Sequence, residues 1–180
     1  MRNVVVAGYA RSPFHLAGKG ALARVRPDDL AAQVIRGLIQ QTGVKAEDIE
    51  DIVLGCAFPE GEQGFNIARL IGLLAALPLS VGGMTVNRFC GSSMSSVHIA
   101  AGQIQLGAGE AFICAGVESM SRVPMMGFNP LPNPELAKKS AAYMGMGDTA
   151  ENVATKYQIT RAQQEAFAVA SQDKAAAAIA

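Results

Sequence analysis

The chain has 180 residues, of which half are hydrophobic and 17% charged, enough to bury one substantial core and too apolar for a disordered segment. Fifteen basic residues balance fifteen acidic ones, so no long-range field draws the protein onto nucleic acid or an anionic membrane. Cys56, Cys90 and Cys114 are odd in number and lack CxxC spacing, which argues against a zinc ribbon or a complete disulfide framework and fits reduced thiols in a cytosol.

The apolar run at residues 4–10 is too short for a signal peptide and reads as a first strand, so a cytoplasmic protein is expected. In 28–43, Leu30, Val34, Leu38 and Ile39 recur at helical spacing, with Pro27 and two aspartates before them and Gly43 to close the helix. Glu47, Asp48, Glu50 and Asp51 form a solvated turn ahead of a second apolar run at 52–58. A helix follows at 66–76 and a brief strand at 84–86. Residues 89–109 carry no charge but contain four serines, two glutamines and His98, which suits a helix buried within protein on nearly every side rather than a membrane span. The run at 111–117 is the last strand; the strand runs do not alternate apolar with polar, as expected where both faces are covered.

Residues 119–142 dissolve into Pro124, Pro130, Pro132, Pro134, glycines and methionines, a long excursion that reads as a functional loop. Helical character returns at Asp148, and Thr160 with Gln163 forms a capping box for a helix that is still running at Ala180. Strands alternating with helices imply a layered α/β fold with a mixed, mostly parallel sheet around a buried central helix.

Chemistry concentrates at Val86-Asn87-Arg88-Phe89-Cys90-Gly91-Ser92-Ser93-Met94, where a cysteine stands between a brief strand and a long helix. Unpaired N–H groups and the positive end of the helix dipole stabilise a thiolate there, while Gly91, Ser92 and Ser93 leave room for a substrate at the sulfur. Cys56 and Cys114 lie inside apolar strands and read as buried structural thiols.

This segment resembles the nucleophile signature of the thiolase family: an asparagine, two residues, then a cysteine followed by small residues and a helix. Ala115-Gly116-Val117-Glu118-Ser119-Met120 is similar to the family's glycine-Glu-Ser-Met segment, Met146-Gly147-Asp148-Thr149-Ala150-Glu151-Asn152 to its loop-domain helix start, and Arg11-Ser12-Pro13-Phe14 to its Arg-Thr-Pro turn. The resemblance covers essentially the whole chain and implies the amino-terminal half of a thiolase. Residues 1–118 would form the α/β domain and 119–180 the beginning of the loop region, which serves CoA binding and oligomerisation; the carboxy-terminal half would be absent. Glu62-Gln63-Gly64-Phe65-Asn66, the cysteine motif and Val123-Pro124-Met125 look most like degradative 3-ketoacyl-CoA thiolases. Gly145 stands where biosynthetic acetoacetyl-CoA thiolases carry a histidine.

The resemblance implies an acyltransferase in which Cys90 takes the acyl group of a 3-ketoacyl-CoA, releases acetyl-CoA and passes the acyl group to CoA in fatty-acid β-oxidation. It implies no tightly bound cofactor and no metal, with coenzyme A and acyl-CoA as substrates and Met146 as a candidate contact to them. A homodimer or homotetramer is implied, with a fatty-acid oxidation partner subunit as a further associate. The family's activating histidine and second cysteine have no match in the chain. His98 lies eight residues along the same helix from Cys90, roughly 12 Å at 1.5 Å per residue, beyond hydrogen-bond reach, and His15 sits in a distant loop. The 180-residue chain alone is therefore expected to lack turnover. A biosynthetic thiolase, a β-ketoacyl synthase and a non-catalytic acyl-CoA-binding scaffold are the alternatives.

Overall fold

A computed structural model describes residues 2–180, which divide into two compact units, one ending at Pro130 and the other spanning Leu131–Ala180.

The first unit is built on a sheet of three parallel strands, β1 (Asp51–Gly55), β2 (Gly82–Val86) and β3 (Phe112–Gly116), in the order β2-β1-β3. Val53 sits at the centre of the register, opposite Met84 on one side and Cys114 on the other. Parallel neighbours require crossover connections, and helices supply them: α2 (Ile67–Leu74) between β1 and β2, and α3 (Ser92–Leu106) between β2 and β3. α1 (Pro27–Thr42) precedes the sheet. It starts at Pro27 with Asp28 and Asp29 in its first turn, where the helix dipole favours acids, and ends at Gly43 in the left-handed conformation, whose N–H reaches the Ile39 carbonyl.

Alternation along β1 assigns its faces. Ile52, Leu54 and Cys56 pack with Ala32 and Ile35 of α1, Ile67, Ala68 and Ile71 of α2, and Ile113 of β3 to make the main core. Each large aliphatic side chain buried there contributes about 1.5–3 kcal/mol. The other face receives the start of α3. A Cβ on Gly116 would stand 2.0 Å from Ser93 Oγ, so a strand without side chains at its end lets the helix settle onto it.

Three expectations change here. Residues 4–10 form no strand: neither edge of the sheet pairs with them, and Val5 and Val6 are 79% and 83% exposed. An apolar run signals a need for burial, but a strand exists only through its ladder, and that partner is not local. The central helix is covered on one side only, along the small residues Ser92, Ser96 and Ala100, while Met94, Val97 and His98 face outward. Cys114 is exposed because β3 is an edge strand.

An ion-pair cluster ties α1 to the turns beside the sheet. Arg26 donates to both carboxylate oxygens of the buried Asp28, at 3.1 and 2.7 Å, and Arg122 forks onto Glu62, which Arg26 also approaches at 3.4 Å. Burial opposes the Asp28 charge, but hydrogen bonds from Arg26 and the Asp29 amide outweigh it and hold the carboxyl below its ordinary value; the Arg122 hydrogen bonds do the same for Glu62. With depressed folded pKa values, the unfolded chain binds more protons in acid. The stability these groups contribute is present above the ordinary carboxylate range of about 3.9–4.3 and is lost as pH falls through their folded values. The urea midpoint is therefore expected to fall below about pH 4, and Arg26→Ala to flatten that fall; equal pH profiles for the two proteins would contradict it.

The second unit contains α4 (Pro134–Lys139), a short helix inside the stretch expected to be loop throughout, with α5 (Met146–Lys156) and α6 (Arg161–Ile179). Asn133 caps α4 by accepting from the Glu135 and Leu136 amides. The Thr160–Gln163 capping box forms as the sequence indicates. Among the described residues, no helix is long and apolar enough to cross a membrane.

Candidate active site

In an open parallel sheet, ligands gather beyond the carboxyl ends of the strands, where the connecting loops diverge. Here three loops meet at that end: 56–60 after β1, 87–91 after β2 and 117–119 after β3. Cys90 belongs to the second.

After β2 ends at Val86, the chain makes one 3₁₀ turn, Phe89–Gly91, and enters α3. Phe89 adopts a left-handed φ of 44°, a conformation that costs an aromatic residue on the order of 1–3 kcal/mol and persists only where neighbours enforce it. Those neighbours are identifiable. The Phe89 amide donates to Asn87 Oδ1 at 2.9 Å, and the buried Ser92 hydroxyl accepts from the Arg88 amide at 2.8 Å while donating to the Phe89 carbonyl at 2.6 Å. The Phe89 ring lies 5.8 Å from that of Phe58 on the first loop. Cys90 follows directly, exposed and unbridged, at the mouth of a helix whose first N–H groups have no intrahelical acceptor.

The other cysteines differ. Cys56 is buried beside Glu118, and burial first, then that charge, push its thiol up to about 11. Burial also raises the Cys114 thiol, although the residue is exposed overall, and outweighs the opposing hydrogen bond of its sulfur to the Ser96 carbonyl at 3.6 Å.

Sequence reasoning did not single out Gln63 or the part played by Glu118. The Gln63 side chain is fully buried and uses its whole amide: Nε2 donates to Glu118 Oε1 at 2.7 Å and to the Phe58 carbonyl at 2.9 Å, and Oε1 accepts from the Ser119 amide at 2.6 Å. A glutamine among polar residues carries no local sign of burial; only the meeting of three loops buries it.

Among the described residues, no hydrogen bond joins Cys90 to His15 or His98, both of which are exposed, and no three His, Cys, Asp or Glu side chains converge as a metal site would require. A cleft of about 640 Å³ runs along the free edge of β3, lined by residues that include His15, Val97, Cys114 and Glu118, but not Cys90. Met146, exposed at the start of α5, and the exposed Lys138 and Lys139 of α4 belong to the 131–180 unit.

The profile of the thiolase N-terminal domain matches residues 4–180. The chain belongs to the thiolase family. It is 49% identical over its full length to a 3-ketoacyl-CoA thiolase of Bacillus subtilis, of which it covers 46%. Identity is 44% over 98% of the chain with the 3-ketoacyl-CoA thiolase of Psychrobacter arcticus, covering 45% of that protein, and 42% over 97% with that of Colwellia psychrerythraea, covering 46%. The chain thus spans about half the length of these relatives. In thiolase terms it matches the amino-terminal domain, and the small parallel sheet with flanking helices is the α/β architecture its motifs imply.

Proposed function

We propose that this chain supplies the acyl-carrying half of a 3-ketoacyl-CoA thiolase, with Cys90 as the nucleophile. The observation that carries this reading is the setting of Cys90: exposed, on a strained turn, at the opening of α3 and beyond the carboxyl ends of three parallel strands.

The Cys90 sulfur attacks the 3-keto carbonyl of a 3-ketoacyl-CoA. The bond between C2 and C3 breaks, its electron pair stays on C2, and protonation of C2 releases acetyl-CoA, leaving the acyl group on Cys90 as a thioester. The thiolate of free CoA then attacks that thioester, giving an acyl-CoA two carbons shorter and regenerating Cys90. Thiolates serve both as strong nucleophiles and as leaving groups, which divides one carbon–carbon cleavage into two acyl transfers. The Cys90 backbone N–H is a candidate donor to the developing oxyanion. The 3-ketoacyl-CoA thiolase relatives support the degradative direction over acetoacetyl-CoA synthesis.

Residues 119–180 would open the loop region, with Met146 as a contact for the acyl-CoA and coenzyme A as substrate rather than a resident cofactor. A cytoplasmic homo-oligomer working with a fatty-acid oxidation partner fits this reading. Among the described residues, neither His15 nor His98 is hydrogen-bonded to Cys90, and on this reading residues 1–180 alone would not turn over.

Selective alkylation tests the assignment against a non-catalytic scaffold. Iodoacetamide is expected to label Cys90 about tenfold or more faster than Cys114, with Cys56 slowest, because burial and raised pKa values suppress the other two thiols. Peptide mapping after partial labelling reads the order. Equal, slow labelling of all three would favour the scaffold.

A further inference from the structure

The three loops at the carboxyl ends of the strands are joined by a continuous series of hydrogen bonds that ends at the turn carrying Cys90. It begins with Glu118, after β3, whose two carboxylate oxygens serve different donors. Oε1 accepts from Gln63 Nε2 and Oε2 from the Ala57 amide, each at 2.7 Å. Ala57, after β1, accepts at its carbonyl from Asn87 Nδ2 at 2.9 Å, and Asn87 Oδ1 in turn accepts from the Phe89 amide at 2.9 Å. Phe89 is the residue held at φ 44°, next to Cys90.

We propose that Glu118, anchored by the buried amide of Gln63, is a positioning residue that sets the direction of Cys90 through Ala57 and Asn87. This inference rests on Cys90 being the acyl acceptor. Glu118 touches neither the sulfur nor a reacting atom; it acts by holding the first loop where Asn87 can fasten the strained turn.

The chemistry requires a carboxylate. The two amide partners of Glu118 are donors, as is the Cys56 thiol at 4.0 Å, and charge-assisted bonds as short as the two amide ones are the stronger kind. Glutamine has the same shape but only one acceptor oxygen, so its NH2 must face either the Ala57 N–H or the Gln63 NH2. Aspartate keeps both acceptors on a shorter stem. At Asn87, aspartate still accepts from Phe89 but cannot donate to the Ala57 carbonyl. A misplacement of about 1 Å at a reacting atom costs as much as a hundredfold in rate.

The test uses the full-length protein and steady-state thiolysis of a 3-ketoacyl-CoA. Glu118→Gln is expected to lower kcat by about tenfold to a hundredfold with KM changed less than about threefold, since remote substrate contacts are untouched. Glu118→Asp should recover part of the loss. Asn87→Asp should lower kcat similarly, and the double variant Glu118→Gln/Asn87→Asp should be no worse than about twofold below the weaker single variant, because both break the same relay. Iodoacetamide labelling of Cys90 should stay within about twofold of wild type, as a small reagent does not need the oriented attack.

If Glu118→Gln fails to fold, the Asn87→Asp and Glu118→Asp variants still decide the matter. A Glu118→Gln or Asn87→Asp kcat within twofold of wild type, or losses that multiply in the double variant, would overturn the relay. A wild-type protein whose Cys90 never takes an acyl group would instead sink the thiolase reading, and this inference with it.

Discussion

Cys90→Ala is expected to abolish thiolysis in the full-length protein, lowering kcat by at least about four orders of magnitude, because the variant has no group that can hold the acyl chain between the two half-reactions. The structural cost of the change should be small. Cys90 is exposed and its sulfur fills no core position, so the unfolding free energy from urea titration should stay within about 0.5 kcal/mol of wild type. Mass spectrometry after mixing with a 3-ketoacyl-CoA offers a direct readout: the wild-type protein should gain one acyl group on the peptide containing Cys90, and the variant none. Residues 1–180 expressed alone should show no thiolysis, and a rate from that chain that disappears in Cys90→Ala would contradict the assignment of the base to another part of the protein.

Gly55→Ala is expected to damage the same site by way of the backbone. A Cβ on Gly55 would stand 2.5 Å from Ser93 N and 2.6 Å from the Ser92 carbonyl carbon, distances at which the start of α3 must move. Because the clash is with backbone, no side-chain rotation relieves it. Overpacking of this kind costs about 1–3 kcal/mol, readable as a fall in the urea midpoint. The displaced residues immediately follow the Cys90 turn, so kcat should fall as well. Gly102→Ala supplies the comparison. It lies in the same helix with nothing within 4 Å of an added Cβ, and there alanine should be neutral or stabilise by about 0.5–1 kcal/mol. Equal effects at the two glycines would show that contact with β1 does not place α3.

Local signals in the sequence carried a good part of the fold. Pro27, the two aspartates after it and Gly43 delimit α1 within one residue, and the Thr160–Gln163 pair marks the start of α6. Both depend on contacts within a single turn of chain. The cysteine at a strand-to-helix junction was legible for the same reason, since β2, the turn and α3 follow one another directly. The family, too, could be read from short segments, and the match over residues 4–180 agrees with them.

Where partners are distant in sequence, the amino acids alone were not enough. Residues 4–10 have the composition of a strand, yet no strand edge reaches them; α3 has an uncharged outer face, yet only the sheet side is covered; Cys114 has apolar neighbours in sequence, yet β3 ends the sheet there. Periodicity reports which side chains tolerate burial, whereas pairing and coverage depend on which other elements arrive. The link from Glu118 through Ala57 and Asn87 to Phe89 is the clearest case, with members drawn from three loops up to 61 residues apart. By itself the sequence determined the limits of α1, the start of α6, the family and the cysteine to examine, because those are matters of local pattern. Only the tertiary structure decided what surrounds that cysteine, because parallel strands bring together loops that the chain keeps far apart.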